Sequence, residues 1–283
     1  MNNLDANNTS AYHLLDTTNM FDTLFSEANE PPIDTYISKI TNLILLVDPN
    51  PLVFNKGLAN LLVLGSVSAF ESYMREVLRR TILIDRISLK NCESLPLSYG
   101  AAISHGNDLM PEAILEDVSF AGKFNIQESL KKFLNLKGNL PDSLIATLDE
   151  FVKVCELRHC LVHRFGKLGT KNAIKLGLSD HSNCIEKPLQ LDYIALQNLQ
   201  VTCNALVKEI NNYIFNSLLK RLIIDDRGKK INNVIWTWKY NQDRMLFLKY
   251  YKTFVSSIEV PRNHSTAKQA YDLYRNSYNN LKR

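Results

Sequence analysis

The amino-acid sequence predicts an all-α protein. Only ten glycines and nine prolines punctuate its 283 residues. The long stretches between them carry apolar residues three and four positions apart, the spacing of a helix that faces a core. Hydrophobic residues make up 45% of the chain and charged residues 22%, values typical of a globular protein rather than a disordered or fibrous one. At this length we expect one main core with an appendage.

The predicted helices begin after an N-terminal tail. Residues 1–30 are rich in Asn, Thr and Ser and predict a loosely held tail or a peripheral short helix. A first helix is expected from Pro32, since proline suits a helix start, up to the break at residues 48–51. A second helix is expected from Leu52 to about Asp85. Its apolar seam, spaced 4, 3, 4 and 3, consists of Val63, Val67, Phe70, Met74 and Val77.

The second half of the chain repeats this pattern less evenly. Residues 88–111 contain Pro and Gly and predict loops with a short element, and residues 125–136 predict a short helix. A longer helix is expected from residue 141 to the glycines at 166–169. Its buried side is predicted to contain Leu144, Leu148, Phe151, Cys155 and Val162. Residues 171–188 suggest an extended or turn-rich crossing, and residues 189–222 predict the final long helix. These helices predict a four-to-five-helix bundle over residues 31–221.

Residues 222–283 predict a small C-terminal extension that is basic and rich in aromatic residues. From residue 220 to the end the net charge is +9, whereas residues 1–219 carry −5. Two interpretations of its aromatic residues are open. The rings can stack on unpaired bases while Lys and Arg neutralise phosphates, or Trp236, Trp238, Phe247 and Tyr250 can be the buried side of a helical appendage. We favour packing for the tryptophans, and the charge favours an acidic partner.

The remaining composition argues against several protein classes. Residues 1–8 contain no basic residue and no apolar run follows, so we expect no secretory signal and a cytoplasmic protein. The most apolar stretch, residues 58–70, is too short and too interrupted to span a membrane. The five cysteines include no Cys-x-x-Cys pair, which favours reduced and mostly buried thiols. We expect neither a metal nor a cofactor, and a cluster of Cys155, Cys160, His159 and His163 is the remote alternative.

One hexapeptide has the residue types of a catalytic site. It reads Arg158-His159-Cys160-Leu161-Val162-His163. On an ideal helix His159 and His163 lie about 40° apart, whereas Arg158 lies about 140° from His163. Arginine and histidine therefore converge only if the helix ends or bends at His163, or if two protomers share a cleft. A histidine can move the proton of a ribose 2′-hydroxyl, and an arginine stabilises charge on the phosphate, without a metal.

The segment Arg158-His159-x-x-x-His163 resembles the Arg-(Asn/Asp/His)-x-x-x-His signature of HEPN domains. About 0.05 chance matches to that pattern are expected in a chain of this composition. Phe70-Glu71-Ser72 resembles a segment common in one bacterial branch of the same superfamily. The resemblance covers residues 31–222. It implies a HEPN-like bundle that dimerises, and a metal-independent endoribonuclease that leaves a 2′,3′-cyclic phosphate, usually in toxin–antitoxin or anti-phage defence.

The resemblance also implies the roles of individual residues. Arg158 and His163 would be the catalytic pair, His159 and Glu71 would support them, and we expect Arg164 and Lys167 to contact RNA. The expected partners are an RNA substrate, a second copy of the chain, and an antitoxin or other regulatory protein. Three alternatives are open. Arg158 can pair with a surface carboxylate while His163 caps the helix, Glu71 can pair with Arg75, and the whole module can bind RNA, a nucleotide or a protein without catalysis.

Overall fold

The computed structural model describes residues 6–7, 10–51, 53–225, 227–262 and 264–281. Within these residues the chain forms eleven α-helices and no strand, so the all-α prediction is confirmed for them. The helices are α1 (Pro32–Ile44), α2 (Lys56–Ile84), α3 (Arg86–Cys92), α4 (Tyr99–Ser104), α5 (Met110–Ala113), α6 (Lys123–Leu134), α7 (Asp142–Arg164), α8 (Thr170–His181), α9 (Tyr193–Arg221), α10 (Tyr240–Phe254) and α11 (Ala267–Asn280).

The long helices begin at the signals that the sequence contains. Pro32 opens α1, as predicted. The predicted start of the second helix at Leu52 lies outside the described residues, and α2 begins at Lys56, where the Asn55 side chain accepts a 3.0 Å hydrogen bond from the Leu58 N–H. Asp192 caps α9 in the same way through the Ala195 N–H. Such caps satisfy backbone donors that the first turn leaves unpaired.

The core forms around α2, which packs against α1, α7 and α9. All five residues of its predicted seam are buried. Phe70 and Phe151 bring α2 and α7 together with ring centroids 4.3 Å apart. The predicted buried side of α7 is confirmed for its first four members, but Val162 is 47% exposed. That prediction was wrong, since Val162 is not covered although Cys160, two residues earlier, is only 2% exposed.

The segments between the long helices are more helical than the sequence predicted. Residues 171–188 are not an extended crossing, since α8 occupies most of them and a 3₁₀ turn, Ser182–Cys184, follows. The helical period was hidden because Gly177, with φ 105°, interrupts α8. Residues 88–111 contain three short helices, α3, α4 and α5, or parts of them. The described residues of the N-terminal tail, 6–7 and 10–30, form no helix.

The C-terminal extension packs on the bundle. Trp236, Phe247 and Tyr250 are buried, and the Trp236 indole donates a 3.0 Å hydrogen bond to the Tyr274 hydroxyl. The packing interpretation is therefore confirmed for these rings, which are not available to stack on bases. Their side chains belong to the same hydrophobic cluster as the core of the bundle. The boundary at residue 222 stays a prediction.

Buried carboxylates connect the two regions. Asp85 at the end of α2 forms an ion pair with Arg221 of α9 and accepts a 3.3 Å hydrogen bond from the Tyr250 hydroxyl. Asp34 of α1 accepts hydrogen bonds from the Ser256 and Ser257 side chains that follow α10. Among the described residues, no helix combines the length and the apolar composition that crossing a bilayer requires.

Candidate active site

The hexapeptide lies in the last turns of α7, which stays helical through His163. The helix ends at Phe165, whose backbone has the left-handed values φ 51° and ψ 40°, followed by Gly166 at φ 89°. The Gly166 N–H donates a 3.0 Å hydrogen bond to the Cys160 carbonyl, which closes the end of the helix. A bend at His163 is therefore absent.

His159 and His163 form an exposed pair. Their ring centroids lie 4.5 Å apart with an angle of 49° between the ring planes. Both side chains are open to solvent, and neither makes a hydrogen bond within the described part of the chain. This agrees with the predicted separation of about 40° around the helix axis. The expected capping of the helix end by His163 is not formed among these residues.

Arg158 lies on another side of α7. It is half-buried and makes no hydrogen bond or ion pair with any described residue, so the expected surface pair with a carboxylate is not formed there. Its charge acts on Cys155, one turn earlier. Burial, together with the Glu156 and Glu71 carboxylates, raises the pKa of Cys155 to about 12, and the charge of Arg158 opposes this shift. The single chain does not bring Arg158 and His163 together.

Glu71 on α2 has a partner in the backbone. Its Oε1 accepts a 3.1 Å hydrogen bond from the Phe120 N–H. Arg75, one turn later, donates instead to the Val118 carbonyl at 2.9 Å and lies 3.6 Å from Glu112. The expected Glu71–Arg75 pair is therefore not formed. Glu71 and Arg158 both lie close enough to Cys155 to act on its thiol.

The two residues expected to contact RNA differ in their surroundings. Arg164 forms an ion pair with Glu186. Its guanidinium also lies against Gly169, where an added Cβ would come within 2.6 Å of Nη1. Arg164 thus joins α7 to the loop before α9. The Lys167 side chain is exposed and makes no hydrogen bond or ion pair with the described residues, while its backbone pairs with Pro188.

The sequence interpretation missed a buried polar network next to the histidines. Glu156 is buried on α7, one turn before His159 and two turns before His163. It accepts hydrogen bonds from Asn172 Nδ2 at 2.8 Å and from Lys175 Nζ at 2.6 Å, both on α8. Asn172 and Lys175 are three residues apart, a spacing that places both side chains on one face of a helix. The sequence did not reveal this network because the segment that contains them was predicted to be extended or turn-rich.

Apolar side chains are exposed around the end of α7. Phe165 is 98% exposed. Other exposed members on α7 and α8 are Val162, Ile174 and Leu178. Val162 and Phe165 lie within three residues of His163 in the chain, and Ile174 and Leu178 belong to the helix that packs against α7.

The two cavities described for this structure lie away from the hexapeptide. One of 720 Å³ is lined by α9, α10 and α11, and one of 410 Å³ lies between residues 25–30, α1 and α2. The hexapeptide lines neither. The described residues contain no cluster of three or more His, Cys, Asp or Glu side chains arranged to hold a metal ion. All five cysteines are free thiols, and four of them are buried, as predicted.

Comparisons of the chain with protein-family models, with curated proteins and with solved structures found no match.

Proposed function

We propose that this protein is a HEPN-type, metal-independent endoribonuclease that acts as a homodimer, with Arg158 of one copy and His163 of the other at a shared cleft. The observation that supports this proposal is that Arg158, His159 and His163 are accessible and have no polar partner among the described residues. His159 and His163 are exposed 4.5 Å apart, and none of the three forms a hydrogen bond or ion pair within the described part of the chain. A half-buried arginine without a carboxylate partner is costly unless a ligand supplies the anion.

The proposed reaction follows from these groups. Neutral His163 removes the proton of a ribose 2′-hydroxyl, and the 2′ oxygen forms a bond to phosphorus. The bond from phosphorus to the 5′ oxygen breaks, which leaves a 2′,3′-cyclic phosphate. A protonated histidine returns a proton to the leaving 5′ oxygen, and His159 is the candidate within the same chain. Arg158 stabilises the additional negative charge on the phosphate.

The helix geometry is the reason for proposing two copies. Because α7 is helical through His163, Arg158 and His163 lie about 140° apart around its axis. A second copy related by twofold symmetry would present its own Arg158 toward the His163 of the first. The exposed apolar residues Val162 and Phe165 suit such a contact.

The proposed biological role is that of a toxin or anti-phage effector in the cytoplasm, restrained by an antitoxin or another regulatory protein. Lys167 is the proposed RNA contact with a free ammonium group, and Glu71 is proposed to support the site through its hydrogen bond to the Phe120 backbone. The role of Arg164 is proposed as indirect, because its guanidinium pairs with Glu186.

A second candidate is a non-catalytic HEPN module that binds RNA. The surface around the histidine pair favours it, since both rings are exposed and the hexapeptide lines neither of the two cavities described above. The two candidates differ in whether bound RNA is cut.

The test incubates purified protein with total RNA in EDTA. We expect cleavage by the wild-type chain, cyclic phosphate ends on the products, and loss of cleavage in His163→Ala and Arg158→Ala. His13→Ala, at another exposed histidine, is the matched control and should cleave normally. If the wild-type chain binds RNA but leaves it intact, the binding module is correct and the nuclease is not.

Mixing the two inactive variants tests the shared cleft. A heterodimer of His163→Ala and Arg158→Ala has one cleft with both functional groups. An equal mixture should therefore recover about a quarter of the wild-type activity. Activity that stays at the level of the separate variants would contradict the dimer model.

A further inference from the structure

The cavity of 410 Å³ contains no residue of the hexapeptide and is lined in part by the N-terminal segment. We call residues 25–30 the strap, since Phe25 to Ala28 and Glu30 line the cavity just before α1 begins. The volume lies in the range of small-molecule sites, about 300–1,000 Å³. The cavity is lined by polar and charged side chains of the strap, α1, α2 and α5: Glu27, Glu30, Thr35, Ser38, Lys39, Asn42, Ser72, Arg75, Glu76, Arg79 and Glu112.

The basic residues of this cavity point to an anion. The Arg79 side chain is only 8% exposed, and it forms an ion pair with Glu27 of the strap. Its other carboxylate neighbour, Glu112, lies 3.8 Å away. Lys39 Nζ donates a 2.7 Å hydrogen bond to the Ser72 hydroxyl rather than to a carboxylate. A buried guanidinium needs an anionic partner. Of the two carboxylates beside Arg79, the nearer one belongs to a segment outside the helices.

The strap is held by few contacts. Besides the Glu27–Arg79 ion pair, Arg80 donates a 3.1 Å hydrogen bond to the Ala28 carbonyl. The Glu27 side chain is 50% exposed, so water reaches the carboxylate. The described residues before the strap, 6–7 and 10–24, form no helix that would anchor it. A competing anion therefore has to displace little packed structure.

The charge balance of the cavity depends on the strap. With the strap in place, three basic and four acidic side chains line the cavity, and without Glu27 and Glu30 three basic side chains face two acidic ones. The neighbouring charges also act on the pKa of the Glu76 carboxyl group. Burial raises its pKa, Arg80 opposes that effect, and the Glu27 carboxylate raises it further. Because Arg80 lies 2.7 Å from Glu76 and neutralises it, Glu112 is the main acidic group left.

We propose that this cavity is a binding site for the phosphate group of a small molecule, and that the Glu27 carboxylate occupies the phosphate position until the ligand displaces the strap. Arg79 would bind the phosphate oxygens, because a guanidinium group matches them in pairs. Lys39 and the hydroxyls of Ser38 and Ser72 supply further donors. The proposal does not depend on the nuclease activity of the chain.

Calorimetric titration of the full chain with inorganic phosphate tests this proposal. Glu27→Gln removes the competing charge, so phosphate should bind about fivefold tighter than to the wild type, equivalent to ~1 kcal/mol. Glu150→Gln is the matched control, since Glu150 is an exposed glutamate paired with a lysine at 2.7 Å. An affinity of Glu27→Gln no higher than that of Glu150→Gln overturns the proposal.

A second pair of variants tests the site through Lys39 instead of Glu27. Lys39 is exposed, so Lys39→Gln should fold, and it should bind phosphate more weakly than Lys153→Gln. Equal affinities of these two variants contradict the site. Repeating the titration with a nucleoside 5′-monophosphate distinguishes free phosphate from a phosphate ester as the ligand.

Discussion

The side-chain amide of Asn172 donates a 2.8 Å hydrogen bond to the Glu156 carboxylate, and this contact joins α8 to the helix that carries the histidine pair. Lys175 completes the arrangement from the next turn of α8. This link is strong because the Asn172 amide is buried and would otherwise lose its hydration without replacement. The packing of α8 on the end of α7 depends on Glu156.

Glu156→Ala should lower the free energy of unfolding by about 2–3 kcal/mol, since it leaves the buried Asn172 amide without an acceptor. Urea unfolding followed by circular dichroism measures the change. Glu150→Ala removes an exposed carboxylate from the same helix and should cost less than about 0.5 kcal/mol. Equal losses from the two variants would show that the Glu156 network contributes little.

Phe165→Gly should raise the free energy of unfolding by about 0.5–1 kcal/mol, because glycine adopts the left-handed backbone at this position without strain. The ring is 98% exposed, so its removal costs no packing within the chain. Thermal unfolding is the measurement, and Phe165→Ala, which keeps the strain, is the control. A gain of the same size in Phe165→Ala would assign the effect to the ring. If the ring lies between two copies, both variants should weaken the dimer in light scattering.

Glu71→Gln should keep stability and most of the RNA cleavage, because a glutamine oxygen can still accept the hydrogen bond from the Phe120 N–H. Glu71→Ala should lose about 1 kcal/mol of stability, since that donor is left unpaired. The comparison requires unfolding curves and cleavage rates for both variants. A Glu71→Gln variant as stable as the wild type but more than tenfold slower would show that the negative charge acts in the reaction.

Acid should weaken the C-terminal extension through Asp243. Burial alone would raise the pKa of Asp243, but hydrogen bonds from Tyr271, from Thr237 and from the Trp238 N–H hold it below its ordinary value of 3.8. A lowered pKa means that the contribution to stability is complete above 3.8 and is lost as the pH falls through the lower folded value. Asp243→Asn should cost about 2–3 kcal/mol at pH 7.

The same variant tests the pH dependence directly. The difference in unfolding free energy between Asp243→Asn and the wild type should shrink as the pH falls below 4. Tryptophan fluorescence suits the measurement, because Trp236 and Trp238 lie next to this carboxylate in the chain and in the fold. A difference that stays constant from pH 7 to pH 3 would contradict the role of Asp243.

The sequence predicted the long helices well because their signals are local. The seam of α2 and the prolines before α1 and α7 act within a few residues of where they occur. Helix α8 was missed because Gly177 interrupts its period. Val162 was assigned to the core because periodicity shows which residues share a face, but not how far along the helix a neighbouring element covers that face.

The sequence by itself determined the all-α class, the seam of α2, the position of the hexapeptide on a helix and the separation of Arg158 from His163 around its axis, since these depend only on the helical repeat. Only the tertiary structure decided that Trp236 is buried, that Glu71 binds the Phe120 backbone, that Arg164 pairs with Glu186, and that Glu27 covers Arg79. Three of these contacts join residues that lie 22 to more than 50 positions apart in the sequence, and the fourth places the Trp236 ring inside the core. A local sequence pattern does not show which distant residues will meet.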